Sequence, residues 1–418
     1  MTRRCALAGT ALALLASALG GCRTPAALEP ASTYAVIAGV LEWPSRTLSA
    51  FPEEYRRDQG LYETLRAKGV PERNMALLLG PKATEANLRG ALGEVAGRAG
   101  PGATLIFYYA GHGFPGTRGI YFASYDAGLD GGPPEGLLID DIDTLLGERF
   151  RGARVVLLAD CCYGGGLADV AAKLSGRGFA AASLTAASIA NESTHQWTFT
   201  CEVIDALNGR PHLDRDGDGY VSIEEAGASV RDAMNFVEGQ QHGFSLWGLP
   251  GSFRLSAVAA DGTHNDPLPA PFTRGQFVAL RDKGGTQPAR IVGCKAGALQ
   301  LEIQQYHDRR TVWRAPGEVA ALERPDLPEV TVSTRVPPPE MDPAEADAKA
   351  TVGGTYRTLL RKVHARFDFL VYGAFSDYGY SKTPEYLGQT GLPEGYWVYV
   401  YPWWYIFKDL NRDASGLK

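Results

Sequence analysis

The stretch Val155 to Gly166, VVLLADCCYGGG, is an apolar run of strand character that ends abruptly in an acid, two cysteines and a glycine cluster. A second stretch has the same shape: Thr104 to Ala110, TLIFYYA, runs directly into Gly111-His112-Gly113. Both runs are short, rich in β-branched or aromatic residues, and stop at glycine or at a polar residue close to one, which reads as buried parallel strands. In an open α/β sheet the carboxyl ends of parallel strands border the crevice where ligands bind, so two such ends can bring His112 and Cys162 together.

A thiol is a useful nucleophile only as thiolate, and Cys162 therefore needs a neighbour that accepts its proton. His112 is the candidate. Gly113 suits a place where backbone N–H groups approach a reacting carbonyl, because a side chain there would obstruct it. Cys161 is the rival nucleophile, and the alternation of a strand end sends the two thiols in different directions.

YYAGHG at 108–113 and DCCYGG at 160–165 together resemble the caspase and metacaspase clan of cysteine peptidases, over residues 33 to 255. His112 precedes Cys162 by fifty residues, close to the caspase spacing. The resemblance implies that Cys162 is the nucleophile, since the family places an acid or amide two residues before it and a glycine two after it, here Asp160 and Gly164. It also implies that Asp160 lines the primary substrate pocket, with cleavage after arginine or lysine; Glu192 is the alternative acid. The contrasting class is a catalytically silent caspase-like scaffold that binds envelope partners through its C-terminal modules.

The rest of the chain fits an α/β domain around these strands. TYAVIAGV at 33–40 and MALLL at 75–79 read as strands. Helices are expected over 56–68 with Leu61, Tyr62 and Leu65 on one face, after the cap Thr84 with Leu88, Leu92 and Val95, over 138–146, and over 197–207. A strand is expected at 120–123, a Gly-Pro-rich loop at 128–136, and a further strand at 180–188. Strand and helix alternate, which predicts a mainly parallel sheet with helices on both faces. The small-residue segment 166–182 reads as a mobile loop in which Lys173 and Arg177 offer self-cleavage sites.

Asp214 to Glu225, DRDGDGYVSIEE, matches the EF-hand calcium loop pattern at every position. Oxygen ligands for one Ca2+ would come from Asp214, Asp216, Asp218, the Tyr220 carbonyl, Ser222 through water, and Glu225 with both oxygens, with Gly219 making the sharp turn. Ser222 and Glu225 also form a capping box. With no partner hand in the sequence, the ion is expected to brace the region beside the catalytic domain, with regulation as the alternative role.

Length and composition set the frame. A chain of 418 residues suggests two or three domains, and 45% hydrophobic against 21% charged residues supplies ample core. A net charge of −6 without a long basic run argues against nucleic acid as the main partner. Arg3 and Arg4, the apolar run Ala6 to Ala18 and the ending Leu19-Gly20-Gly21-Cys22 resemble a bacterial lipoprotein signal, residues 1–22, with Cys22 lipidated; an ordinary secretory signal is the alternative. Arg23 is not the aspartate that retains lipoproteins at the inner membrane, so an outer-membrane anchor facing the periplasm is expected. Residues 23–32 form a tether and 33–256 the peptidase-like domain. Short alternating strands over 272–322 resemble a small SH3- or Tudor-like β-barrel. Residues 323–350 are an acidic, Pro-rich linker, and 351–418 carry 16 aromatic residues, read as an aromatic β core or as a face for glycan or another envelope partner.

Overall fold

The computed structural model describes residues 27–322 apart from 46–47, 117, 129–135, 189–192, 194–195, 261–265, 283–284 and 306–307. The signal segment with Cys22, most of the Gly-Pro-rich loop, Glu192, the linker 323–350 and the aromatic segment 351–418 lie outside the described residues.

The apolar runs singled out above form the centre of a six-stranded sheet. Five parallel strands lie in the order β2 (Met75–Leu79), β1 (Thr33–Gly39), β3 (Thr104–Ala110), β7 (Arg154–Asp160) and β8 (Ala180–Thr185), and β10 (Gly243–Trp247) closes the β8 edge antiparallel. These strands read as unbroken apolar runs because both sheet faces are covered. Val36, Leu105, Phe107, Val155 and Leu157 face one core with α2 (Glu85–Arg98), α3 (Asp140–Arg149) and α4 (Leu167–Gly176). Their neighbours Ile37, Ile106, Tyr108, Val156 and Leu158 face a second core with α1 (Asp58–Ala67), α5 (Thr198–Asn208) and α6 (Ile223–Ala233). Period-two alternation along each strand thus divides the apolar residues between the two layers.

Chain direction fixes where a ligand can enter. From β1 the chain passes through α1 to the edge strand β2, then crosses back through α2 to β3 on the other side of β1. The reversal makes the carboxyl ends of β1 and β3 a topological switch point, the place where open sheets leave a crevice. A small antiparallel sheet of β4 (Gly113–Gly116), β5 (Gly119–Phe122) and β6 (Leu137–Leu138) follows directly after His112.

Helix positions agree with the apolar periodicity, with one correction. Thr84 caps α2 by accepting from Asn87 N at 3.3 Å, and Leu61 and Leu65 are buried while Tyr62 is only half-buried. The segment 166–182 is not a mobile loop: most of it is α4, with Leu167, Val170 and Leu174 in the core, and it runs on into β8. Lys173 Nζ lies 3.0 Å from Asp140, and Arg177 grips Asp143 with two hydrogen bonds of 2.7 Å. Small residues misled the reading because alanines supply helix propensity as readily as they populate loops. The expected nicking sites therefore sit on ordered, ion-paired helix.

Residues beyond β11 (Arg254–Ala257) form a five-stranded antiparallel sheet in the order β15-β14-β13-β12-β16, built from β12 (Phe277–Asp282), β13 (Gly285–Lys295), β14 (Ala298–Gln305), β15 (Asp308–Arg314) and β16 (Val319–Ala321). Four strands form a meander, and the fifth, not anticipated from the sequence, returns to pair with the first. Val278, Leu280, Ile291, Leu299 and Leu301 make its core.

This β module is joined to α5 by buried charge. Arg290 of β13 forks onto Glu202 with two bonds of 2.8 Å, and their side chains are 3% and 0% exposed. Arg309 of β15 reaches both Glu202 at 3.1 Å and Asp205, and Arg210 holds Glu302 at 3.0 Å. The Ser229 hydroxyl of α6 donates to Glu202 at 2.5 Å. Removing one partner of such a pair strands the other charge in the interior. Arg290→Ala is accordingly expected to cost about 3–5 kcal/mol of stability, measured as a lowered urea midpoint of the full chain.

Candidate active site

The two motifs meet because β3 and β7 run parallel in direct register, with Ala110 opposite Asp160. His112 and Cys162 each lie two residues past that shared rung. Gly111 N donates to Asp160 O at 3.4 Å, which carries the pairing one residue beyond the strands. At Gly113 a Cβ would lie 2.1 Å from the Cys162 carbonyl oxygen and 3.1 Å from Cys161 Sγ, so the backbone of one motif rests against the other and only glycine fits. Gly111, at φ +149°, is held equally closely: a Cβ there would meet the Tyr109 hydroxyl at 2.5 Å and Val40 O at 2.8 Å.

His112 is fixed from every side. Its carbonyl accepts from Ala123 N at 2.9 Å and from the Tyr109 hydroxyl at 3.0 Å. The ring packs against Trp43 and Phe51, with centroids 4.7 and 4.5 Å away. Its Nε2 lies 2.8 Å from Ser49 O. A carbonyl oxygen only accepts, so Nε2 carries the proton and Nδ1 keeps the basic lone pair. Burial pushes the His112 pKa below its ordinary value, against the smaller opposing pull of the Ser49 carbonyl. The imidazole is therefore neutral at neutral pH, the form able to accept a proton. Trp43, Ser49 and Phe51 come from the segment after β1 and carried no signal in the sequence.

The two cysteines differ sharply. Cys161 is buried, and burial, followed by the neighbouring Cys162 and Asp160, pushes its pKa well above the ordinary thiol value. Cys162 is half-buried and borders the cleft, and its Sγ accepts from Ser193 N at 3.2 Å. The next residue, Tyr163, adopts φ +56°, a left-handed conformation rare for a bulky side chain and a mark of a sharp turn at a strand end.

Asp160 lines the same cleft, a cavity of about 30 Å3 bordered also by Phe51, Ala110, Gln196 and Trp197. Its Oδ2 accepts from the Thr200 hydroxyl at 2.5 Å, and Thr200 Oγ1 lies 2.6 Å from the Tyr108 hydroxyl. Burial raises the Asp160 pKa from its ordinary 3.8 to about 7; hydrogen bonds from Thr200 oppose the rise, and the charges of Glu238 and Asp58 add to it. Thr200, Trp197 and Ser193 escaped the sequence reading because they lie on a helix start and loop far from either motif in the chain.

The calcium-loop pattern forms one compact turn ahead of α6. Ligand oxygens of Asp214, Asp216 and Asp218 lie within 4.8 Å of one another. Asp214 accepts from Gly217 N and Gly219 N, and Glu225 accepts from Arg215 N at 2.7 Å and Ser222 N at 2.8 Å, completing the expected capping box. Two left-handed glycines, Gly217 and Gly219, make the turn. The donor set is all oxygen and suits a hard cation such as calcium. In place of a second hand, β9 (Tyr220–Ser222) pairs antiparallel with β11 (Arg254–Ala257), and Arg254 stacks on the Tyr220 ring at 3.5 Å while contacting Asp218. A second cluster, Asp205, His212 and Glu302, also has converging ligand atoms, but Arg210, Arg290 and Arg309 occupy its surroundings, and their positive charge opposes a metal.

Fold and site together define an α/β protein with a cysteine and a histidine at the carboxyl end of a mainly parallel sheet. Comparison with known proteins adds two structures. The chain is similar to protein GSU0716 from Geobacter sulfurreducens, at 16% identity over 55% of this chain and all of that one, with a TM-score of 0.33. It is also similar to the Drosophila initiator caspase Dronc, at 10% identity over 56% of this chain and 89% of that one, with a TM-score of 0.35. No family model and no curated protein matches.

The pH response of Asp160 follows from its shifted pKa. Between about 4 and 7 the folded chain holds a proton on this carboxyl that the unfolded chain has released, so stability falls as pH rises through that window. Asp160→Asn should flatten this part of the stability curve, measured by urea midpoints from pH 4 to 8.

Proposed function

We propose that this chain is a caspase-like cysteine endopeptidase that hydrolyses peptide bonds after arginine or lysine. The observation that carries the reading is the shared rung of β3 and β7, Ala110 opposite Asp160, with His112 two residues past it on one strand and Cys162 two residues past it on the other. His112 Nδ1 takes the proton from the Cys162 thiol, and the thiolate attacks the scissile carbonyl carbon. Backbone N–H groups of Gly113 and Cys162 hold the resulting oxyanion. As the intermediate collapses, the carbon–nitrogen bond breaks and the imidazolium gives its proton to the departing amine, leaving a thioester on Cys162. Water, deprotonated by His112, then hydrolyses the thioester and restores the thiol.

Asp160 supplies the specificity. A desolvated carboxylate rewards a paired cation and penalises an unpaired acid, so a substrate guanidinium or ammonium entering the cleft favours its ionised form. Cys161, raised and buried, takes no part. Around this centre the reading places Cys22 as a lipidated anchor at the cell envelope and residues 214–225 as a site for one calcium ion. The module over 272–322 is read as SH3- or Tudor-like, and the aromatic segment as a contact for envelope partners or glycan. Calcium, when bound, would neutralise the carboxylates that Asp214, Asp216 and Asp218 bring together.

Purified full-length chain tested on peptides with arginine, lysine or aspartate before the cut bond decides the matter. Cys162→Ala should abolish cleavage after arginine and lysine, Cys161→Ala should retain it, and His112→Ala should lower kcat/KM by at least about a hundredfold without unfolding the chain. Cleavage after aspartate alone, equal loss in a folded Cys161→Ala, or no cleavage at all would overturn the reading. Calcium should raise the melting temperature by mass action on the folded state, and Asp214→Ala should remove that rise.

A further inference from the structure

Helix α5 stands between the cleft and the β module, and its side chains divide between them with helical spacing. Trp197 at the helix cap lines the cleft, and Thr200, three residues on and buried, holds Asp160. Thr198, Glu202 and Asp205, at steps of four and three, face the module. Thr198 accepts from Gln304 Nε2 at 2.6 Å and donates to Glu238, while Glu202 and Asp205 take the guanidiniums of Arg290 and Arg309.

Asp160 depends on what α5 brings to it. The titratable groups around it are Asp58 at the start of α1, Glu238 after α6, Tyr108 on β3 and the adjacent Cys161, and the nearby cation Arg56 is paired to Asp58 at 2.8 Å. Thr200 supplies the opposing hydrogen bond. With Asp160 ionised, the Thr200 proton points to the carboxylate and the Tyr108 hydroxyl donates to Thr200 in turn. A shift of α5 by a fraction of an ångström would break this chain and leave the carboxyl protonated and free to rotate.

We propose that Thr200 is a specificity-positioning residue, and that the β module, through Arg290, Arg309 and Gln304, clamps α5 so that Thr200 stays on Asp160. This rests on Asp160 being the acid that meets a basic substrate side chain. The module is then a working part of the pocket and not a passenger on a linker.

The test uses the full-length chain and two peptides that differ only in arginine or its neutral isostere citrulline before the cut bond. Thr200→Val should raise KM for the arginine peptide about tenfold, with kcat and the citrulline peptide within about twofold, and Thr200→Ser should restore it. In the same variant the profile of KM against pH should move upward, as Asp160 ionises later. Arg309→Met and Gln304→Ala should shift the arginine-to-citrulline ratio in the same direction and speed amide hydrogen exchange over residues 197–200. A folded Thr200→Val with an unchanged ratio overturns the proposal, as does unchanged exchange over 197–200 in Arg309→Met. Wild type that cleaves neither peptide sinks the peptidase reading instead. In that case, exchange over 160–162 in Thr200→Val and over 197–200 in Arg309→Met still decides the positioning.

Discussion

Everything at the candidate site depends on the register between β3 and β7. Parallel pairing offers no short turn to set the offset between strands, so the offset is set by burial on both faces. A slip of one residue would exchange Phe107 and Tyr109 of one layer with Tyr108 of the other, and the hydroxyl of Tyr108 would lose Thr200. The site is thus as precise as the packing of two cores permits, and that packing extends over α1 to α6.

The same register explains why two adjacent cysteines have different chemistry. Cys161 continues the inward alternation of β7 and is buried beside Gly113, where its charged form is disfavoured. Cys162 leaves the sheet at a turn that Tyr163 completes with a left-handed backbone, and it meets an N–H group of Ser193. The next position leaves little room for a side chain, since a Cβ on Gly164 would meet Ala159 Cβ at 3.1 Å and Thr185 Cβ at 3.3 Å. Both cysteines border the cleft, Cys161 buried and Cys162 half-buried.

Buried polar contacts carry the connection from this centre to the rest of the molecule. Asp160, Thr200, Glu202 and Arg290 are all at or near full burial, with Thr200 bonded to Asp160 and Arg290 to Glu202. An apolar helix in place of α5 would pack as firmly but would not specify its height along the sheet, which hydrogen-bonded pairs do by geometry. The calcium-type loop joins the same arrangement through α6, whose Ser229 reaches Glu202.

The sequence by itself determined the strands at 104–110 and 155–160, the alternation with helices that makes the sheet parallel, the capped helix after Thr84, and the loop of Asp214 to Glu225. These are local: a period of two or 3.6, a cap or a glycine at a fixed offset is written in adjacent residues. It also singled out His112, Cys162 and Asp160 as candidates, since Asp160 ends β7 and the other two lie two residues past a strand end. Only the tertiary structure decided that 167–176 is helix, because alanines suit a helix or a loop until a core is offered. Only the tertiary structure brought Trp43, Ser49 and Phe51 to His112, Ser193 to Cys162, Thr200 to Asp160, and Arg290 to Glu202. Those partners come from elements distant in the chain, and no pattern within a short window encodes a contact that exists only once two layers have packed on one sheet.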